Sequence, residues 1–174
     1  HRPPTTTGVF GDYDNDGCKD LVLVGWGPLQ DNLYHSNCNG TFTEVTYAAG
    51  IKKELYNGFG ASWADYDNDG YLDLYIANFG YNDSGNKYAI SEPNILYHNN
   101  KDGTFTNLAI KVGLEGASRC RANPIDKLIG RPFKPSFQPI WFDYNNDGKP
   151  DLFIATDTVV SPLYRNNGDG TFTE

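Results

Sequence analysis

The sequence predicts an all-β protein built from about three four-stranded antiparallel blades of the propeller type. Three observations carry this reading. A nine-residue acidic segment occurs three times, and a Leu-Tyr…Gly-Thr-Phe-Thr segment occurs three times downstream of it. The 174 residues also include 19 Gly, 12 Tyr and 10 Phe, a composition of short strands and tight turns rather than helices.

The acidic segments read Asp12-Tyr-Asp-Asn-Asp-Gly-Cys-Lys-Asp20, Asp65-Tyr-Asp-Asn-Asp-Gly-Tyr-Leu-Asp73 and Asp143-Tyr-Asn-Asn-Asp-Gly-Lys-Pro-Asp151. Each follows an aromatic residue (Phe10, Trp63, Trp141) that marks strand 1 of a unit. Each precedes a short apolar run, at 21–24, 74–77 and 152–155, bounded by Asp and Gly, which reads as strand 2. The second segments, at 33–43, 96–106 and 163–173, align without a gap. Their central Asn-Gly or Asp-Gly supplies the positive φ of a hairpin turn, so they read as strands 3 and 4. The units are therefore blade 1 at 1–51, blade 2 at 52–114 with an inserted loop at 79–93, a connection at 115–139, and blade 3 at 140–174. The third unit stops short of the tails that follow the first two at 45–51 and 107–114.

There are 22 acidic and 14 basic residues, a net charge of −8, and eleven of the acids lie in the three acidic segments. The charge is local, and with no basic stripe a nucleic-acid partner is not expected. The longest apolar runs are about five residues against the ~20 of a membrane-spanning helix, so no membrane span is expected. The chain has no Met and begins with His1, which suggests a removed leader or a piece of a longer protein. No signal peptide is visible.

Four carboxylates within nine residues repel one another unless a cation lies between them. Loop positions 1, 3, 5 and 9 offer oxygen only, which selects a hard ion. A flexible shell of six to eight oxygens suits Ca²⁺ better than Mg²⁺. The Gly at position 6 (Gly17, Gly70, Gly148) permits the sharp turn, and the backbone carbonyl at position 7 would complete the ring. The alternative is an Asx-rich surface turn without metal. An EF-hand shares the opening of this motif but needs a bidentate Glu at position 12. Here that position holds Leu23, Ile76 and Ile154.

An Asp-x-Asp/Asn-x-Asp-Gly-x-x-Asp loop in a β repeat with an Asn-x-x-x-Gly-Thr-Phe hairpin resembles the FG-GAP/VCBS repeat, the calcium-binding blade of integrin α-subunit propellers and of many secreted bacterial proteins. Phe59-Gly60-Ala61 resembles the Phe-Gly of the family name. The resemblance implies about three structural Ca²⁺ ions. Their ligands would be Asp12, Asp14, Asp16, Asp20 and the Cys18 carbonyl; Asp65, Asp67, Asp69, Asp73 and the Tyr71 carbonyl; and Asp143, Asn145, Asp147, Asp151 and the Lys149 carbonyl. Asn145 replaces an Asp, so the third site is expected to be the weakest.

Cys18 at loop position 7 and Cys38 in the hairpin turn occur only in the first repeat. In an antiparallel blade the start of strand 2 lies beside the end of strand 3, so a Cys18–Cys38 disulfide is expected. It implies an oxidising compartment, secreted or at the cell surface. Cys120 remains over. Asn39 and Asn82 begin Asn-x-Ser/Thr sequons and are glycosylation candidates if the source is eukaryotic.

The long connections should emerge opposite the acidic loops, where Trp26, Tyr81, Tyr88, Arg119 and Arg121 would form a ligand face. No nucleophile–base signature is present. The expected function is a non-enzymatic extracellular adhesion or structural module. The alternative is a carbohydrate-binding, lectin-like or accessory propeller of a carbohydrate-active secreted enzyme. Three blades leave open flanks, so the expected protein partner is the rest of a longer propeller or further copies of the chain in an oligomer or filament.

Overall fold

The computed structural model describes residues 5–26, 31–51, 56–80, 92–116, 135–156 and 160–174. They form three four-stranded antiparallel sheets, each in simple chain order. Blade 1 holds β1 (Thr5–Gly11), β2 (Asp20–Gly25), β3 (Asn32–Ser36) and β4 (Phe42–Glu44). Blade 2 holds β5 (Gly58–Ala64), β6 (Asp73–Asn78), β7 (Ile95–Asn99) and β8 (Phe105–Asn107). Blade 3 holds β9 (Ser136–Phe142), β10 (Asp151–Thr156), β11 (Leu163–Asn166) and β12 (Phe172–Thr173). No described helix is long and apolar enough to cross a membrane.

The registers repeat. Phe10 pairs with Leu21, Trp63 with Leu74 and Trp141 with Leu152 across the first two strands. The hairpin turns close alike, with Asn37, Asn100 and Asn167 donating backbone N–H to Thr41, Thr104 and Thr171. Cys38, Lys101 and Gly168 occupy the left-handed turn position at φ of 58°, 65° and 77°. Blade 3 begins four residues earlier than the expected boundary. Pro139 is tolerated in β9 because that strand pairs only with β10, so its missing N–H breaks no ladder. The second tail contains the helical turn α1 (Ala109–Val112), closed by Gly113 at φ 81°. The first contains a turn ended by Gly50 at φ 75°. These turns seat Ile51 and Leu114 in the two cores.

The core lies between blades. One cluster joins blades 1 and 2 through Val22, Val24, Leu33, Leu74, Ile76 and Ile95, and another joins blades 2 and 3 through Tyr75, Leu96, Leu152 and Ile154. Covered on both sides, β6 is buried at all six positions. An aromatic triad recurs at each joint. Tyr13 stacks on Trp63 with centroids 6.4 Å apart and leans on Phe105 at 5.4 Å, while Tyr66 stacks on Trp141 at 6.3 Å and leans on Phe172 at 5.9 Å. The first strands pack side by side, β1 on β5 and β5 on β9. There Gly60 is obligatory, because a Cβ on it would stand 2.1 Å from the Phe137 carbonyl oxygen.

At the other end of blade 1, Asp31 Oδ1 accepts the Gly25 N–H at 3.1 Å. Burial pushes its carboxyl up to about 6, against the opposing effect of that bond. A folded-state value above the unfolded one gives a contribution that is full below about pH 4 and lost as pH rises through about 6. In saturating calcium, Asp31→Asn should therefore be more stable than the parent at pH 7, by on the order of 2 kcal/mol after allowance for partial exposure. The difference should vanish near pH 4. Urea unfolding of both proteins at the two pH values measures it.

Candidate metal centre

Each acidic loop is curled by its own backbone. The Asn at position 4 is left-handed (Asn15, Asn68 and Asn146 at φ 61°, 58° and 59°), as is the Gly at position 6 (Gly17, Gly70 and Gly148 at φ 91°, 91° and 81°). One oxygen of the first carboxylate accepts the N–H of that Gly: Asp12 from Gly17 at 3.1 Å, Asp65 from Gly70 at 2.9 Å, Asp143 from Gly148 at 2.8 Å. The fifth residue accepts the N–H of the seventh, with Asp16, Asp69 and Asp147 bonded to Cys18, Tyr71 and Lys149 at 2.8–3.0 Å. Two short-range bonds per loop thus turn positions 1, 3 and 5 inward.

The result is a convergence of oxygen. One carboxylate oxygen from each of Asp12, Asp14 and Asp16 lies within 4.8 Å of the others, and the same holds for Asp65, Asp67 and Asp69. The Oδ1 of Asp12 is buried without a hydrogen-bond partner. An oxygen-only set of like charges with a buried orphan acceptor fits a hard cation such as Ca²⁺. The third loop fits it less well. Asn145 Nδ2 donates to Asp147 Oδ2 at 3.1 Å, and Lys149 Nζ lies 3.3 Å from the same oxygen.

The ninth-position acids, named as ligands from the sequence, carry a second task. Asp20 accepts backbone N–H groups from Tyr13 at 3.1 Å and Ser36 at 2.9 Å. Asp73 accepts them from Tyr66 at 3.2 Å and Asn99 at 2.8 Å, and Asp151 from Tyr144 at 3.2 Å and Asn166 at 2.7 Å. Each carboxylate staples its loop to strand 3, through an oxygen that in Asp73 also meets His98 Nδ1 at 3.1 Å. Burial pushes Asp73 up to about 8, against the bonds from Asn99 and Tyr66 and with added repulsion from Asp67 and Asp69. Burial, then the charge of Asp69, also raises Asp67. A bound cation would relieve both.

Two further members of the site are histidines of the third strands, His35 and His98, each partly exposed. His35 Nδ1 lies 3.2 Å from both Asp14 Oδ2 and Asp20 Oδ1, and His98 Nδ1 lies 3.5 Å from Asp67 and 3.1 Å from Asp73. The signal was their equivalent place in two repeats, one strand away from the ninth acid. In the third repeat Arg165 stands there and turns to Asn167 at 3.4 Å.

A clamp ties loop position 7 to the hairpin in each blade. Blade 1 uses the expected disulfide between Cys18 and Cys38. Blade 2 places Lys101 Nζ 3.2 Å from Asp69 and 5.8 Å over the Tyr71 ring. Blade 3 lays Lys149 across Gly168, where a Cβ would stand 2.4 Å from the lysine Cε. Neighbouring loops are linked as well. Asn15 Nδ2 donates to the Gly70 carbonyl at 3.0 Å and Asn68 Nδ2 to the Gly148 carbonyl at 3.1 Å. Asn99 Nδ2 reaches the Tyr13 carbonyl at 2.8 Å, and Asn166 Nδ2 the Tyr66 carbonyl at 2.7 Å.

Opposite the loops, Trp26 packs on Phe59 at 6.2 Å and Phe79 at 5.8 Å, and both of those rings meet Phe137. Trp26 thus belongs to an aromatic cluster drawn from all three blades. Asn39 is exposed in its hairpin turn. Tyr81, Asn82, Tyr88, Arg119, Cys120 and Arg121 lie outside the described residues.

A family model described as an FG-GAP-like repeat matches residues 9–76 and 143–174. No curated protein matches the chain. Among solved structures, an Agrocybe aegerita lectin, described as specifically recognising non-reducing terminal N-acetylglucosamine, is 22% identical with a TM-score of 0.47. That match covers 98% of this chain and 37% of the lectin chain, so this chain spans little more than a third of the lectin's length.

Proposed function

The chain belongs to the FG-GAP-like repeat family, and from that premise we propose that it is a calcium-stabilised, non-enzymatic propeller module working outside the cell as a structural or adhesive unit. The observation that carries the reading is the convergence of three carboxylates within 4.8 Å in each of the first two loops. Asp12, Asp14 and Asp16, with the Cys18 carbonyl and the stapled Asp20, would hold the first ion. Asp65, Asp67 and Asp69, with the Tyr71 carbonyl and Asp73, would hold the second. Asp143, Asn145 and Asp147, with the Lys149 carbonyl and Asp151, would hold a third more weakly. Bound Ca²⁺ supplies two positive charges and a flexible oxygen shell.

The residues around it do structural work. Position 1 closes the loop on its Gly, position 9 fixes the loop to strand 3, and the position-4 Asn passes the geometry to the next loop. Among the described residues both histidines, His35 and His98, face loop carboxylates. Support for an extracellular setting comes from the disulfide and from the millimolar Ca²⁺ found there.

Calorimetric titration of the metal-free chain with calcium chloride tests the proposal. Two tight sites and one weaker site are expected. Asp67→Ala should remove a tight site, and Asn145→Ala should touch only the weak one. A titration without specific heat would overturn it.

A further inference from the structure

In every blade the clamp between acidic loop and hairpin reaches the acid at loop position 5, but its chemistry differs. Lys101 Nζ lies 3.2 Å from Asp69 in blade 2, and Lys149 Nζ lies 3.3 Å from Asp147 in blade 3. Each sets an ammonium beside a carboxylate, where it competes with a bound cation. In blade 1 the clamp is the Cys18–Cys38 disulfide, which carries no charge. It holds Asp16 from both sides. Asp16 Oδ1 accepts the Cys18 N–H at 2.8 Å, and Oδ2 lies 3.5 Å from Cys38 Sγ. Asp16 is also one of the three carboxylates that converge in the first loop. Both halves of the bond therefore bear on one member of the first metal set, and the Cys18 carbonyl would be another.

We propose that this disulfide is a redox control on the first calcium site. Bond and ion stabilise the same loop shape, so reduction weakens calcium there and bound calcium protects the bond; the inference rests on the calcium reading above. A reductant can reach the bond, since Cys18 is partly exposed and Cys38 is exposed in its hairpin turn. The chemistry needs a thiol or dithiol from outside the chain. A thiolate of the reductant attacks one sulfur, and the S–S electron pair leaves with the other. A second thiolate resolves the mixed disulfide. Cys18 and Cys38 each end as a thiol, and the reductant departs as a disulfide.

Reduction leaves the first loop worse held than the other two. A pair of thiols offers neither the covalent tie of the oxidised state nor an ammonium like that of Lys101 or Lys149. Position 7 is then no longer anchored to the hairpin, and the order of the three carboxylates must be imposed when the ion binds, at a cost to its affinity. Coupling between two sites of this kind is on the order of tenfold, and linkage makes it reciprocal. The factor by which the bond raises calcium affinity is the factor by which calcium raises the bond's resistance to reduction. The second and third loops and hairpins contain no cysteine, so the effect is confined to the first.

Equilibration of the chain in dithiothreitol buffers of graded redox poise tests this, once in excess EGTA and once in calcium chloride. Alkylation and peptide mass spectrometry count the thiols at 18 and 38 separately from Cys120. Calcium should make the bond about tenfold harder to reduce. In Asp14→Ala, calcium on the second loop still stabilises the chain, yet the protection should vanish. Calorimetry supplies a second readout. Dithiothreitol should weaken the first site of the parent about tenfold. It should leave unchanged the first site of Cys18→Tyr with Cys38→Lys, which carries the clamp of blade 2. A chain that binds calcium but whose bond is reduced equally with and without it would overturn the proposal and leave the calcium reading standing. So would protection that survives in Asp14→Ala, or a parent first site as tight in dithiothreitol as without it. A chain that takes up no calcium would overturn both.

Discussion

In excess EGTA the protein should melt about 10–20 °C below its melting temperature in millimolar calcium chloride. A site filled at a hundred times its Kd adds about 2.7 kcal/mol, so two full sites add about 5 kcal/mol, and each kcal/mol moves Tm by about 2–4 °C for a chain of this size. The cost of removing the ion is set by what stays behind: in each of the first two loops, three carboxylates within 4.8 Å of one another, next to an aspartate held in a buried position. The loops also align the neighbouring blades through Asn15 and Asn68, so loosening them loosens the joints. An unchanged melting curve in EGTA would contradict a structural role for the cation.

Asn99→Ala should cost about 3 kcal/mol, a fall of about 6–12 °C in calcium. The buried side chain bonds the Tyr13 carbonyl at 2.8 Å, the Leu72 carbonyl at 3.1 Å and the Lys101 N–H at 2.9 Å. Truncation removes all three bonds, of which the one to Tyr13 crosses the buried joint between blades. Asn99→Ser should recover only the hairpin cap, as Ser36 does in the first repeat, and fall between parent and alanine variant. Thermal melts of the three proteins decide it. Equal stability of the serine variant and the parent would show that the cross-blade bond contributes nothing.

The repeats make much of this molecule legible in one sequence. Aligning three copies locates the acidic loops, the hairpins and the Cys18–Cys38 neighbours, because each depends on residues close in the chain or fixed in one blade's register. The same alignment places Gly60 beside an aromatic, though the reason for it, the Phe137 carbonyl of the next blade, lies outside the local pattern. What stays hidden are contacts between repeats. The sequence does not reveal that Asn99 crosses to Tyr13, or that His35 and His98 turn toward loop acids rather than solvent. The double task of Asp20, Asp73 and Asp151 is hidden for a related reason. A carboxylate at the edge of an acidic loop looks like a ligand until the amides from strand 3 are seen pointing at it. The short helical turn at 109–112 is set by seating Leu114 in the joint, a tertiary demand on a segment too short to show helical periodicity.

The most direct test of the calcium reading is a crystal structure grown in calcium chloride, with anomalous scattering used to identify the ion. A Ca²⁺ is expected between Asp12, Asp14 and Asp16 and another between Asp65, Asp67 and Asp69, with a weaker peak beside Asn145. Loops of unchanged shape holding only water at these positions would contradict it.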